Sequence, residues 1–247
     1  MFSELLSSCQ AGWNAALDFF LPRFCLLCQT PLPPAEPGLV CGACLGQLPL
    51  LSQPQCLCCG APFRSPQGGD HLCQACLRQP PPYDRARAAA FYDGMVLEAI
   101  RRLKYQRQLL FARFLGEILR WSAVINEVIT EAQLILPVPL HPRRLRGRGF
   151  NQALLLAQQW GKLPVVPDVL IRKRPTLPQV GLSSQARLAN VKGAFAVRNP
   201  ASVAGKHVVI LDDVYTTGAT VCECARVLRR AGAGRIEVVT VARVGYA

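Results

Sequence analysis

Although 51% of the 247 residues are hydrophobic, no stretch approaches the ~18 consecutive apolar residues that would cross a bilayer. The first 24 residues contain Glu4 and Asp18, and they lack both the basic start and the long uncharged apolar core of an export signal. These absences predict a cytoplasmic protein with no membrane span. The chain also has no G-x-x-x-x-G-K-[ST] segment, which excludes a P-loop reading of any strand that ends in acidic residues. Acidic residues are few, 15 against 28 lysines and arginines, for a net charge of +13. Basic residues are themselves scarce at the start. Residues 1–76 hold only Arg23 and Arg64 against Glu4, Asp18, Glu36 and Asp70, a net of −2, so the rest of the chain carries +15. This asymmetry predicts two domains and places the anion-seeking surface in the second.

What the first part does have is cysteine. Ten of the 12 cysteines precede residue 77, and eight form C-x-x-C pairs: Cys25/Cys28, Cys41/Cys44, Cys56/Cys59 and Cys73/Cys76. Two such pairs about a dozen residues apart have the spacing of a four-thiolate zinc ribbon, and here that arrangement occurs twice. Leu27, Leu39 and Phe63 offer a thin apolar core, so Zn²⁺ would supply much of the folding energy at two structural sites. Each zinc held by four thiolates keeps a −2 charge, which argues against the ribbons as the main nucleic-acid face. A disulfide scaffold does not suit a reducing compartment. Sequential pairing of the C-x-x-C units is the simplest. Cys58 is then spare, His71 is a conceivable substitute ligand, and Cys9, Cys222 and Cys224 read as ordinary buried thiols. The expected domains are an amphipathic helix over 1–24, a double zinc ribbon over 25–78 and, after the stiff spacer Gln79–Pro82, an α/β domain over 83–247.

In that last domain, strands are expected at 88–92, 134–139, 169–172, 206–211 and 236–242, the last closing the sheet. Helices are expected at 96–105, 109–129, 150–160 and 221–230, giving a parallel α/β sheet. The most informative segment is VVILDDVYTTGAT, residues 208–220. Four apolar residues form a strand buried on both faces. Asp212 and Asp213 follow at its end, and Tyr215, Thr216, Thr217, Gly218, Ala219 and Thr220 lead into a helix. Carboxylates accept hydrogen bonds from a diol, while a glycine-containing turn at a helix N-terminus suits a phosphate. A sugar phosphate therefore fits this strand end. Four arginines (Arg143, Arg144, Arg146, Arg148) between two other elements form an expected mobile cationic loop suited to phosphate. The long polar stretch 172–191, with Arg172, Lys173 and Arg187, reads as a lid.

The 208–220 segment resembles the signature with which type I phosphoribosyltransferases bind phosphoribosyl pyrophosphate (PRPP). Together with RRLRGRGFNQALLLA, QVGLSSQARLANVKGAF and the double ribbon, it identifies the chain as similar to the ComF family, also called GntX-like. The resemblance implies a parallel-sheet type I phosphoribosyltransferase fold carrying a small N-terminal double zinc ribbon. It also implies a link to DNA uptake in competence or to use of DNA as a nutrient. In this reading Asp212 and Asp213 hold the ribose diol and residues 215–220 the 5′-phosphate. The diphosphate falls to Arg143, Arg144, Arg146 and Arg148 with Mg²⁺, while Arg172, Lys173 and Arg187 arrive with the lid. Segment 83–110 takes the place of an acceptor-recognising hood. The expected activity is phosphoribosyl transfer to a nitrogen acceptor. The alternative is a catalytically silent PRPP sensor that binds single-stranded DNA. A DNA-uptake helicase or another competence protein is a further expected partner.

Overall fold

The computed structural model describes residues 22–33, 38–52, 54–65, 67–161, 163–177, 181 and 183–245. The helix expected over 1–24 lies almost wholly outside them, as does Cys9. The chain divides into two compact units, Met1–Leu48 and Pro49–Ala247. The first contains Cys25 to Cys44, and the second contains Cys56 to Cys76 together with the α/β sheet.

In the first unit, the Cys25–Cys28 turn closes with the Gln29 amide donating to the Cys25 carbonyl at 3.0 Å. Gln29 is left-handed there, at φ 62°. Cys41 immediately precedes the short helix α1 (Gly42–Leu45). The second ribbon repeats the plan: Gly60, at φ 66°, takes the place of Gln29, and Cys73 immediately precedes α2 (Gln74–Arg78).

The sheet begins with β1 (Arg85–Phe91), followed by helices α3 (Gly94–Gln106), α4 (Leu110–Trp121) and α5 (Ala123–Glu131). Asp93 caps α3, its side chain accepting from the Gly94 amide. Val96, Ala99, Ile100 and Leu103 bury one face of α3 at helical spacing. The single helix expected over 109–129 is interrupted at Ser122, whose backbone is extended (φ −78°, ψ 109°). Then come β2 (Leu134–Pro137), α6 (Pro142–Arg148), α7 (Gln152–Ala157), β3 (Leu170–Arg172), α8 (Ser184–Val191), β4 (Phe195–Val197), β5 (His207–Tyr215), α9 (Ala219–Arg230) and β6 (Arg235–Arg243).

The main sheet is parallel, in the order β1-β6-β5-β2. Two expectations need correction. β6 does not close the sheet but lies inside it, between β1 and β5. The strand at 169–172 is not part of that sheet; β3 pairs antiparallel with β4 in a separate two-stranded one. Val208 to Leu211 are fully buried, as their unbroken apolar run requires at the sheet centre. Helices α3, α4, α5 and α7 pack as one group, while α9 packs with α8, β4 and the sheet.

The free edge of β1 is covered from within the same unit. The Leu51 amide donates to the Ala89 carbonyl at 2.9 Å and the Phe91 amide to the Pro49 carbonyl at 2.8 Å. Farther along, the Ala86 amide donates to the Cys58 carbonyl at 2.7 Å. Alanines at 86, 88, 89 and 90 leave room for this approach. It is close enough that a Cβ on Gly60 would collide with the Ala86 carbonyl. An unpaired strand edge is a template for association, and here residues 49–51 and the Cys56–Gly60 turn of the second ribbon occupy it.

Candidate functional site

β5 runs four residues beyond its pairing with β2, which ends at Pro137 opposite Leu211. Asp212 and Asp213 therefore lie within β5, in the part that β6 still supports and β2 no longer covers. A cavity of about 500 Å³ opens at this step, and both carboxylates line it. Asp213 is buried and forms an ion pair with Lys104 of α3, Oδ2 to Nζ at 2.7 Å. Its backbone amide donates to Asp212 Oδ1 at 2.9 Å. Enclosure at the cavity floor, then the neighbouring Asp213 charge, push the Asp212 carboxyl up to about 7, with Lys104 opposing both. Burial works against the Lys104 charge, but Asp213 and Asp212 outweigh it and raise its pKa.

After β5 the chain turns through Thr216 and Thr217 to Gly218, which precedes α9 at φ 75°. Among the described residues no side chain caps α9, and its start lies at the cavity, lined by Gly218, Ala219 and Thr220, where the first amides of a helix have no intrahelical partner. A Cβ at Gly218 would strike the Tyr215 hydroxyl. The Thr217 hydroxyl is buried without a partner among the described residues and does not line the cavity.

The arginine tract is not a mobile loop. Pro142 at its first turn and left-handed Gly149 at its end make it the short helix α6. A helix divides its arginines by face. Arg144 lines the cavity, while Arg143 and Arg146 are exposed. Arg148 is buried, with its guanidinium 5.9 Å from the Tyr105 ring centre. The described part of the stretch 172–191 also has more order than its polarity suggests. Ser183 caps α8 by accepting from the Ala186 amide, and Asn190 bonds both the amide and the carbonyl of Leu177. Arg172 and Arg187 line the cavity; Lys173 is exposed and does not.

Several lining residues were not expected. Lys104 lies outside the quoted motifs, Asn151, Gln152 and Val214 lie inside quoted segments without an assigned role, and Tyr92 and Tyr105 belong to the 83–110 segment. Asn151 explains its own place, because its side chain caps α7 and donates to the Val138 carbonyl at 3.1 Å. The Gln152 side-chain oxygen is buried without a partner among the described residues. A signal for Lys104 was available in the periodicity of α3, where its polar tip ends a turn that is otherwise buried.

The cysteines form two separate groups, Cys25/Cys28/Cys41/Cys44 and Cys56/Cys59/Cys73/Cys76, each with its sulfurs within 4.8 Å of one another. A tetrahedral zinc with Zn–S bonds of ~2.3 Å requires sulfurs about 3.8 Å apart. Cys25–Cys44, Cys28–Cys41 and Cys59–Cys73 stand at 3.9, 3.7 and 3.8 Å. The Cys41 and Cys73 amides each donate to a sulfur of the opposite pair, at 3.4 and 3.3 Å, which orients the ligands. Two structural zinc sites with sequential pairing fit this geometry. His71 belongs to neither, since its ring stacks on Phe63 with centres 3.9 Å apart. Burial pushes the Cys222 thiol up to about 11 and raises Cys224 as well, so both stay protonated.

Among the described residues, no helix is long and apolar enough to cross a membrane. Residues 16–82 match the double zinc ribbon domain and residues 148–246 the phosphoribosyl transferase domain. The chain is 36% identical over 225 residues to the DNA utilization protein YhgH of Escherichia coli K12, covering 88% of this chain and 96% of that one. It is 34% identical over 235 residues to competence protein F of Haemophilus influenzae, covering 92% and 99%. Among solved structures it is similar to the glutamine PRPP amidotransferase of B. subtilis, at 27% identity and a TM-score of 0.34. That match covers 52% of this chain and 25% of the amidotransferase. By relatives matched over nearly their whole length, and by a parallel sheet that follows two cysteine tetrads, the chain belongs to the ComF/YhgH family of double-zinc-ribbon phosphoribosyltransferase-domain proteins.

Proposed function

We propose that the cavity binds PRPP and that the protein transfers its phosphoribosyl group to a nitrogen acceptor, in the service of DNA uptake or DNA utilisation. The observation that carries this reading is the meeting of two carboxylates with an uncapped, glycine-preceded helix start in one cavity that three arginines also line. The ribose diol donates to Asp212 and Asp213. The 5′-phosphate takes the Gly218–Thr220 amides and the Thr216 and Thr220 hydroxyls. Arg144, Arg172 and Arg187 face the diphosphate, where planar guanidinium groups donate two bonds at once. Arg143, Arg146 and Lys173 have no part in this arrangement, and Arg148 acts by packing.

In the transfer, the C1–O bond to diphosphate breaks and that oxygen keeps the electron pair. A ring or amine nitrogen bonds C1, and its proton leaves to solvent or to the departing diphosphate. The arginines neutralise charge as it gathers on the leaving group. The carboxylates lining the cavity, Asp212 and Asp213, are engaged by the diol and Lys104. Mg²⁺ would thus be held by the diphosphate's own oxygens and water, supplying further charge neutralisation. Calorimetric titration of the full chain with PRPP and Mg²⁺ tests the binding. Asp212→Asn/Asp213→Asn should abolish it while circular dichroism stays unchanged, and an unaltered affinity in that variant would sink the reading. Pyrophosphate release, screened over nucleobases, ammonia and single-stranded DNA, tests the transfer.

A separate observation favours a second reading. Exposed Arg143 and Arg146 lie on the same short helix as exposed Leu145, and Tyr105 is 62% exposed. A cationic surface with an aromatic ring suits single-stranded DNA, so the protein would sense PRPP while handling DNA. PRPP binding without pyrophosphate release, together with DNA affinity falling steeply with salt, would favour this reading.

A further inference from the structure

The phosphate loop rests on a continuous set of contacts that ends at the second cysteine tetrad. Tyr215, the last residue of β5, lies beneath Gly218 so closely that the glycine has no room for a Cβ. The Tyr215 hydroxyl is 2.8 Å from that of Tyr83, which is buried. Arg243, the last residue of β6 and the register partner of Tyr215, places its guanidinium 5.0 Å from the Tyr215 ring centre. The same guanidinium donates from Nη1 to the Cys59 carbonyl at 2.6 Å. Arg243 is buried, and its Nε has no partner among the described residues. A side chain of this size and charge, almost wholly enclosed, stays in place only while its few partners hold it.

Cys59 is a zinc ligand by the geometry above, and its carbonyl belongs to the turn that the metal closes. Around it, the Arg87 guanidinium donates to the Cys56 and Leu57 carbonyls at 3.3 Å. The Ala86 amide binds the Cys58 carbonyl. The ribbon turn is thus fastened to β1 by backbone bonds and to the phosphate loop through Arg243 and Tyr215.

We infer that Arg243 and Tyr215 are positioning residues that couple zinc in the second tetrad to PRPP affinity at the Gly218 loop. This rests on the reading of that loop as the 5′-phosphate site. With zinc bound, the Cys56–Gly60 turn holds its carbonyls toward Arg87 and Arg243. Arg243 then fixes the Tyr215 ring, and the ring supports Gly218 in its left-handed conformation, with the first amides of α9 directed at the phosphate. Without zinc the turn loses its closure, Arg243 loses its acceptor, and the loop must be ordered at the cost of ligand affinity. No contact of this set involves the first tetrad, so the two zinc sites differ in function although they match in chemistry.

The coupling is reciprocal, which provides a readout that a merely structural arginine would not move. Zinc occupancy of the full chain is followed against a chromogenic chelator, with and without PRPP. PRPP is expected to raise zinc affinity about tenfold at one of the two sites and to leave the other unchanged. Arg243→Met should abolish this protection and weaken PRPP binding by the same factor, with two zinc ions still bound at low chelator. Arg243→Lys, which keeps the charge but not the planar fork, should restore part of both. If the wild-type chain binds PRPP but zinc partitions identically with and without it, the coupling is overturned and the PRPP site stands. Equal protection of both sites also overturns it. If the wild-type chain binds no PRPP, the reading of the loop falls, and the coupling with it.

Discussion

At the scale of single residues, the site is set by one lysine and two carboxylates. Adjacent aspartates in an enclosed place repel, and the Lys104 ammonium, 2.7 Å from Asp213, offsets that repulsion. Lys104→Met keeps the length and removes the charge. It should destabilise the protein by about 3 kcal/mol at pH 7, as removal of one member of a buried pair does. The loss should shrink at pH 5, where Asp212, raised to about 7, is protonated and one of the two neighbouring negative charges is gone; urea melts at the two pH values check this. Asp212 has the opposite effect on stability. Its pKa in the fold, about 7, lies above the ordinary aspartate value near 4. Folding therefore favours its protonated form, and stability falls as pH rises from about 4 toward 7. Asp212→Asn should be more stable than the natural chain above pH 7, with the gain gone by pH 4, and should bind PRPP poorly. In the unmodified chain, PRPP affinity should increase with pH through about 7, since the diol needs a carboxylate acceptor. Asp212 and Asp213 were legible because they stand side by side in a motif. Lys104 was legible only as a polar residue beside the buried face of α3, because the fold alone brings α3 to the end of β5.

Elements decide which of several like residues can act. Four arginines in seven positions look equivalent in a loop, but a helix turns them to different sides. Arg144→Ala should weaken PRPP binding at least tenfold, a charge-assisted contact being worth about 1.5–3 kcal/mol. Arg143→Ala and Arg146→Ala should leave it within twofold, as calorimetry would show. The tract was legible as cationic, and its division was not, because Pro142 and Gly149 had to be weighed as helix ends rather than as loop residues. The break at Ser122 escaped for a related reason: the apolar pattern continues on either side of it, so periodicity alone gives no sign of an extended residue. The strand at 169–172 was visible as apolar, but nothing local states its partner. Pairing with β4 depends on Phe195 and Ala196 reaching it from beyond α8. By contrast, Val208 to Leu211 could have only one place, since four successive apolar residues suit a strand covered on both faces.

For the whole molecule, composition and compactness divide the chain at different places. Composition separates a cysteine-rich, acidic start from a basic remainder, while the compact units separate at Leu48 and Pro49 and leave one tetrad on each side. Composition does not register that the second ribbon covers an exposed strand. Cys73→Ser, which breaks the second tetrad, should uncover β1 and produce concentration-dependent association, seen as rising light scattering at constant zinc in the first site. Cys41→Ser should lose one zinc without that increase. The zinc content itself was legible, because spacing alone fixes a tetrahedral thiolate site.

The covered edge of β1 also has a meaning in time. Synthesis proceeds from the N-terminus, so the Cys56–Cys76 segment leaves the ribosome before any strand of the sheet it will cover. Its ligands are all local in sequence, and it can take up metal while the rest of the chain is still being made. When Arg85 to Phe91 emerge, they meet a finished turn already offering the Cys58 carbonyl, and β6, the other neighbour of β1, arrives last. The ribbon thus works as a template laid down ahead of its sheet, protecting β1 through the interval in which it has no strand partner.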